Sequence, residues 1–235
     1  LTTGYRDRRW LGGLRVGAAV AYVAALNLLA FATSAPIHVY VVPVGALVLV
    51  FAGHLTGLSW RDMAIGWSAR GAAYALTAAA VVAIGVAAAL ALPPLREFLH
   101  NDRYDNLGAA LLSAFVIIPV ATVLPEELIF RGVLLGSWLR AASPAWSIAC
   151  SAVVFGLWHV TSSLGLAAGN AGLSAQLGSG RTGQILGVLG AVAATTVAGA
   201  VFGWLRWHAR SLLPSVVLHW ALNGFGAIGS ALATG

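Results

Sequence analysis

The stretch VLPEELIFRGVLL, Val123 to Leu135, sets two adjacent carboxylates and a guanidinium into an otherwise apolar run. Glu127 and Arg131 are four residues apart, so on a helix they share one face, in the order that favours an ion pair. Glu126 is turned about 100° away from Glu127 on a helix, which leaves it without a local cation and free to face a site. Pro125 suits the first turn of a helix, where its missing N–H costs nothing. A helix N-terminus there would stabilise the carboxylates in their ionised form.

The surroundings make this pattern decisive. Only 9% of the 235 residues are charged and 60% are hydrophobic, with a mean hydropathy of +0.88. A soluble domain carries about a quarter charged residues. This chain lacks the polar side chains to cover a water-facing surface, and suits a lipid-facing one. Apolar runs at 14–33, 37–54, 71–93, 107–123, 145–160, 184–205 and 212–232 approach or reach spanning length. A further apolar helix, roughly 126–141, carries the opening stretch. The runs lack strand-like alternation, and a bilayer favours segments that satisfy their own backbone. The expected fold class is all-α, a polytopic transmembrane helix bundle of about seven to eight helices. It forms one integral membrane domain over 1–235.

The remaining composition narrows the function. All 13 basic side chains are Arg, and they lie between apolar runs rather than on one clustered face, so a nucleic-acid partner is not expected. Cys150 is the one cysteine, which excludes an internal disulfide. No internal repeat points to a transporter. Residues 1–10 are Arg-rich and precede a long apolar run without a small-residue cleavage site, which reads as a retained first span. With about seven crossings, Arg6, Arg8, Arg9, Arg15, Arg61, Arg70, Arg131, Arg140, Arg206 and Arg210 fall on one side. Arg96, Arg103 and Arg181 fall on the other. That bias places the amino end in the cytoplasm. Segment 161–183 is rich in Gly, Ser and Ala and reads as a mobile loop. Residues 58–67, LSWRDMAIGW, read as a short interfacial helix.

Ionisable groups inside a membrane cost a few kcal/mol or more each and mark functional candidates. Besides the opening stretch, FGLWH places Phe155 and His159 on one helical face, and HWALN does the same for His219 and Asn223. Three apolar helices therefore each carry a polar stripe, and the simplest arrangement has them converge on one wetted pocket. Trp158 and Trp220 each neighbour a motif histidine and either wall that pocket or face lipid. His38, His54, His100 and His208 sit near span ends or in connections and carry no assignment.

Taken in order, E-E-x-x-x-R, F-x-x-x-H and H-x-x-x-N resemble the CPBP family, the intramembrane CAAX prenyl proteases and bacteriocin-processing enzymes also known as Abi. The motifs cover residues 126–223, within the C-terminal half of about 107–232. The resemblance implies an endopeptidase for membrane-associated, prenylated or leader-type peptides. It implies Glu126 as the base that activates water, with His159 holding that water, and His219 and Asn223 as donors to the oxyanion. Glu127, Arg131 and Phe155 would support them. No cofactor is expected, Asn223 suiting an oxyanion donor better than a metal ligand. Zinc through Glu126, His159 and His219 is the alternative. The expected partners are a peptide or membrane-protein substrate and the lipid bilayer, and the expected location is a bacterial cell membrane. The alternative function is a non-catalytic bacteriocin-immunity or membrane assembly factor of the same fold.

Overall fold

The computed structural model describes residues 3–32, 37–164, 176–178 and 180–234. These residues form α1 (Thr3–Ala32), α2 (His38–Leu55), α3 (Ala69–Ala91), the short α4 (Pro93–Leu99), α5 (Leu107–Leu139), α6 (Pro144–Trp158), α7 (Arg181–Ala209) and α8 (Leu213–Thr234). No strand occurs among the described residues. Five helices are long and apolar enough to cross a membrane: α1 from Gly12, α3, α5, α7 and α8. The apolar helices at Val39–Leu55 and Pro144–Trp158 are shorter. The bundle turns large hydrophobic side chains outward, among them Leu28, Phe31, Leu76, Ile84, Phe115 and Val197. Such an outer face suits lipid rather than water.

Hydrogen bonds between connections define two ends. At one end Arg140 Nη1 donates to the Gly57 carbonyl at 2.6 Å, Arg206 Nη2 donates to the Asp62 carbonyl, and Leu212 N–H donates to the Ala64 carbonyl at 3.0 Å. At the other end Arg96 Nη2 reaches the Leu232 carbonyl at 3.4 Å, and Asn101 N–H donates to Ser230 Oγ at 2.9 Å. Arg61, Arg70, Arg140, Arg206 and Arg210 belong to the first end. Arg96, Arg103 and Arg181 belong to the second. Arg131, which the sequence counts with the first group, is instead fully buried inside the bundle.

Two local expectations are corrected. The runs 107–123 and 126–141 are one continuous helix, α5, so Pro125 lies inside it and no helix N-terminus meets the carboxylates. Wide, π-type turns over Ser113–Val123 and Leu128–Leu134 absorb the N–H groups missing at Pro119 and Pro125. Carbonyls within both stretches accept bonds from neighbouring helices. Trp220 Nε1 donates to the Ala114 carbonyl at 2.8 Å. Ser151 Oγ donates to Phe130 and Arg206 Nε to Arg131, at 2.9 and 2.8 Å. In lipid such internal partners are what make an irregular helix tolerable. The second correction concerns 58–67, which forms hydrogen-bonded turns rather than a helix. Asp62 accepts bonds from the backbone and hydroxyl of Ser59 within the segment, and the burial of Met63 with the bond from Arg206 to the Asp62 carbonyl ties the segment to the bundle. Within the anticipated mobile loop, residues 165–175 and 179 lie outside the described residues.

Helices α6 and α7 approach closely at Gly156. A Cβ added there would lie 1.9 Å from Thr196 Oγ1 and 2.8 Å from the Val192 carbonyl oxygen. The hydroxyl can rotate, but the backbone oxygen cannot move without parting the helices. Gly156→Leu is expected to destabilise the protein by about 1–3 kcal/mol through overpacking. A lowered thermal unfolding midpoint in detergent micelles checks this, and an unchanged midpoint contradicts it.

Candidate active site

The centre of α5 supplies both carboxylates, the C-terminal end of α6 supplies His159, and the second turn of α8 supplies His219. Glu127, Arg131 and His219 form one buried unit. Arg131 Nη1 donates to Glu127 Oε1 at 3.0 Å, with neither side chain reached by solvent. His219 Nδ1 lies 3.0 Å from the same oxygen. The guanidinium also lies over the rings of Phe155 at 3.9 Å and Phe202 at 4.8 Å, which lowers the cost of its burial. The i, i+4 spacing read from the sequence therefore makes the expected pair, and the fold adds an imidazole to it.

Glu126 points the other way. Trp158 Nε1 donates to its Oε1 at 3.1 Å. Its Oε2 is buried without a hydrogen-bond partner. That oxygen faces two ring nitrogens, Nε2 of His219 at 3.8 Å and Nε2 of His159 at 4.0 Å. Their other nitrogens are engaged. His159 Nδ1 is 2.8 Å from the Phe155 carbonyl, and His219 Nδ1 meets Glu127. A carbonyl only accepts, so His159 carries a proton on Nδ1 in this contact and turns Nε2 toward Glu126. The three unfilled positions are too far apart for direct bonds and suited to one water between them.

The same donors test the zinc alternative. Tetrahedral zinc with ligand bonds near 2.0 Å sets its donors about 3.3 Å apart, closer than the separations at Glu126 Oε2. Among the described residues no group of His, Cys, Asp or Glu side chains is placed to hold a metal ion.

Glu126, Trp158 and His159 line a cleft of about 670 Å³ with Asn27, Arg103 and Thr122. Arg103 and Thr122 also line an adjoining cleft of about 430 Å³ that contains Asn223. The fold thus gathers Glu126, Glu127, Arg131, Phe155, His159 and His219, while exposed Asn223 sits one turn farther along α8 in the neighbouring space. Among the described residues the Asn223 side chain has no hydrogen-bond partner.

Asn27 and Trp158 were not assigned roles from the sequence. Asn27 Nδ2 donates to the Trp158 carbonyl at 3.0 Å, and Thr161 Oγ1 donates to Asn27 Oδ1 at 3.1 Å. A residue of α1 thereby fixes the turn that carries His159. A lone Asn in an apolar span was the available signal. The sequence leaves Trp158 either as a wall or facing lipid, and its bond to Glu126 decides for the wall. Among the other histidines, His54 Nδ1 meets the Leu58 carbonyl at 3.0 Å, and its ring stacks on Trp60.

No curated protein and no solved structure matches this chain. A family model described as "Type II CAAX prenyl endopeptidase Rce1-like" matches residues 108–225, which is half of the chain and runs through α5, α6, α7 and most of α8. All three sequence motifs lie within that match, on the helices that bring Glu126, His159 and His219 together inside an integral membrane bundle. The chain belongs to the Rce1-like family of type II CAAX prenyl endopeptidases.

Proposed function

We propose that the protein is an intramembrane endopeptidase that hydrolyses peptide bonds with a water activated by Glu126. One observation carries this reading: a buried carboxylate oxygen without a partner faces two imidazole nitrogens across a gap of one water. Water held between Glu126 Oε2 and His159 Nε2 gives its proton to the carboxylate, while its oxygen attacks the carbonyl carbon of the substrate. The resulting oxyanion accepts a hydrogen bond from His219. That role requires protons on both ring nitrogens, and Glu127 at Nδ1 supplies the opposing charge. The side-chain amide of Asn223 donates to the same oxyanion from the adjoining cleft. The proton taken by Glu126 then passes, with His159 as relay, to the leaving amine as the C–N bond breaks.

Membrane-associated peptides, prenylated or of the leader type, are the substrate class that suits a cleft at this depth. The segregation of arginines supports a cytoplasmic amino end, and the Lys-free, Ala- and Gly-rich composition supports a bacterial cell membrane. Water is favoured over a protein nucleophile because Ser162 and Ser163 direct their hydroxyls to the His159 carbonyl, at 3.2 and 2.6 Å, and not to its ring.

The test uses the full chain in liposomes with a prenylated C-terminal peptide. Cleavage is expected to persist after exhaustive chelation and in Ser162→Ala and Ser163→Ala, and to be lost in His159→Ala. Complete loss on chelation, restored by zinc, sinks the metal-free mechanism. Loss in either serine variant, with its fold intact, sinks the water mechanism.

A further inference from the structure

At the arginine-rich end of the bundle, where α3 begins and α7 ends, lies a second polar cleft that plays no part in the chemistry above. It encloses about 640 Å³ between Trp67, Arg70, Trp207, His208 and Arg210, and no carboxylate lines it. Arg70 and Arg210 are both exposed. Arg70 gives one bond to the His208 carbonyl at 3.4 Å. Arg210 has no partner among the described residues. The His208 ring is held in place, stacked on Trp204 at 5.2 Å and on Tyr74 at 5.9 Å. Two guanidiniums thus line the cleft, and no carboxylate among the described residues lines it to answer them.

The backbone adds an independent sign. Arg210 closes α7 in the left-handed conformation, at φ 53° and ψ 34°. Glycine is favoured at that position, because a side chain there is strained. An arginine at such a point comes at a cost to folding, and strain of this kind points to function. The surroundings indicate the ligand. Guanidinium donors match the geometry of phosphate oxygens. Tryptophans such as Trp67, which is 80% exposed, settle at the headgroup level of a bilayer. Basic pockets between spanning helices receive acidic headgroups.

We propose that this cleft binds the phosphate of an anionic phospholipid headgroup. The reading is independent of what Glu126 does. The purified full chain in dodecyl maltoside is incubated with an equimolar mixture of phosphatidylglycerol and phosphatidylcholine, and retained lipid is counted by native mass spectrometry. Wild type is expected to retain at least about fivefold more phosphatidylglycerol, the factor that one surface arginine supplies. Arg210→Gly is expected to lower that preference about fivefold while leaving the thermal midpoint unchanged or higher, since glycine relieves the backbone. Arg61→Gln, at the same end but outside the cleft, is expected to keep the preference. Equal retention of the two lipids by wild type overturns the proposal, as does an unaltered preference in Arg210→Gly or an equal fall in Arg61→Gln. Inorganic phosphate, titrated separately against thermal stability, tests the source. A shift with phosphate but no lipid preference overturns the headgroup assignment.

Discussion

Glu126→Gln is expected to lower kcat/KM for a prenylated C-terminal peptide by about 10²–10⁴-fold, the contribution of a positioned general base, with insertion and thermal midpoint unchanged. The substitution keeps shape. An amide oxygen can still accept from Trp158 Nε1, which now bonds Glu126 Oε1 at 3.1 Å. What the amide cannot do is take a proton from water at the position of Oε2. The residue is only 6% exposed, so bulk buffer is poorly placed to replace it. Comparing peptide termini in membranes holding wild type or this variant reads the same effect without prior choice of substrate. Normal cleavage by a folded Glu126→Gln protein would remove the enzyme reading in this form and favour a non-catalytic membrane factor.

The second large effect is on the fold. Arg131→Met is expected to destabilise the protein by about 3–5 kcal/mol, because it strands a buried carboxylate. Glu127 would keep His219 as its neighbour and lose its permanent cation, while the rings of Phe155 and Phe202 would lose the guanidinium between them. Removing both charges is less costly than removing one. The double variant Glu127→Gln/Arg131→Met is therefore expected to unfold at a higher temperature than Arg131→Met alone. Thermal unfolding of the single and double variants in one detergent measures this coupling. Additive losses would show that the pair acts as two independent packing residues. Activity is expected to fall in Arg131→Met as well, since Glu127 is the group that orients His219.

Taken together, the two effects separate the neighbouring glutamates. Glu126 has a buried oxygen without a hydrogen-bond partner, and its replacement is expected to leave the bundle standing. Glu127 shares one oxygen between Arg131 and His219, contacts that suit it to a supporting role. The sequence carries this division already, because adjacent helical residues face different directions and only Glu127 has an arginine one turn away.

The amino-acid sequence by itself determined that the chain is helical and lipid-facing, that Glu127 and Arg131 pair, and that three polar stripes lie on apolar helices. Those features follow from composition and from contacts within four residues, where helical geometry leaves little choice. It also marked the family, through three motifs in order. Only the tertiary structure decided that α5 runs unbroken through Pro125, because that depends on donors from α6, α7 and α8 reaching carbonyls in its wide turns. Only the structure joined Trp158 to Glu126 and Asn27 to the His159 turn, since residues 32 and 131 positions apart meet through packing that no local pattern encodes. The same packing placed Asn223 in a cleft that adjoins that of Glu126 through Arg103 and Thr122: spacing along a helix fixes which side chains share a face, whereas the tilt and depth of neighbouring helices fix which clefts they line.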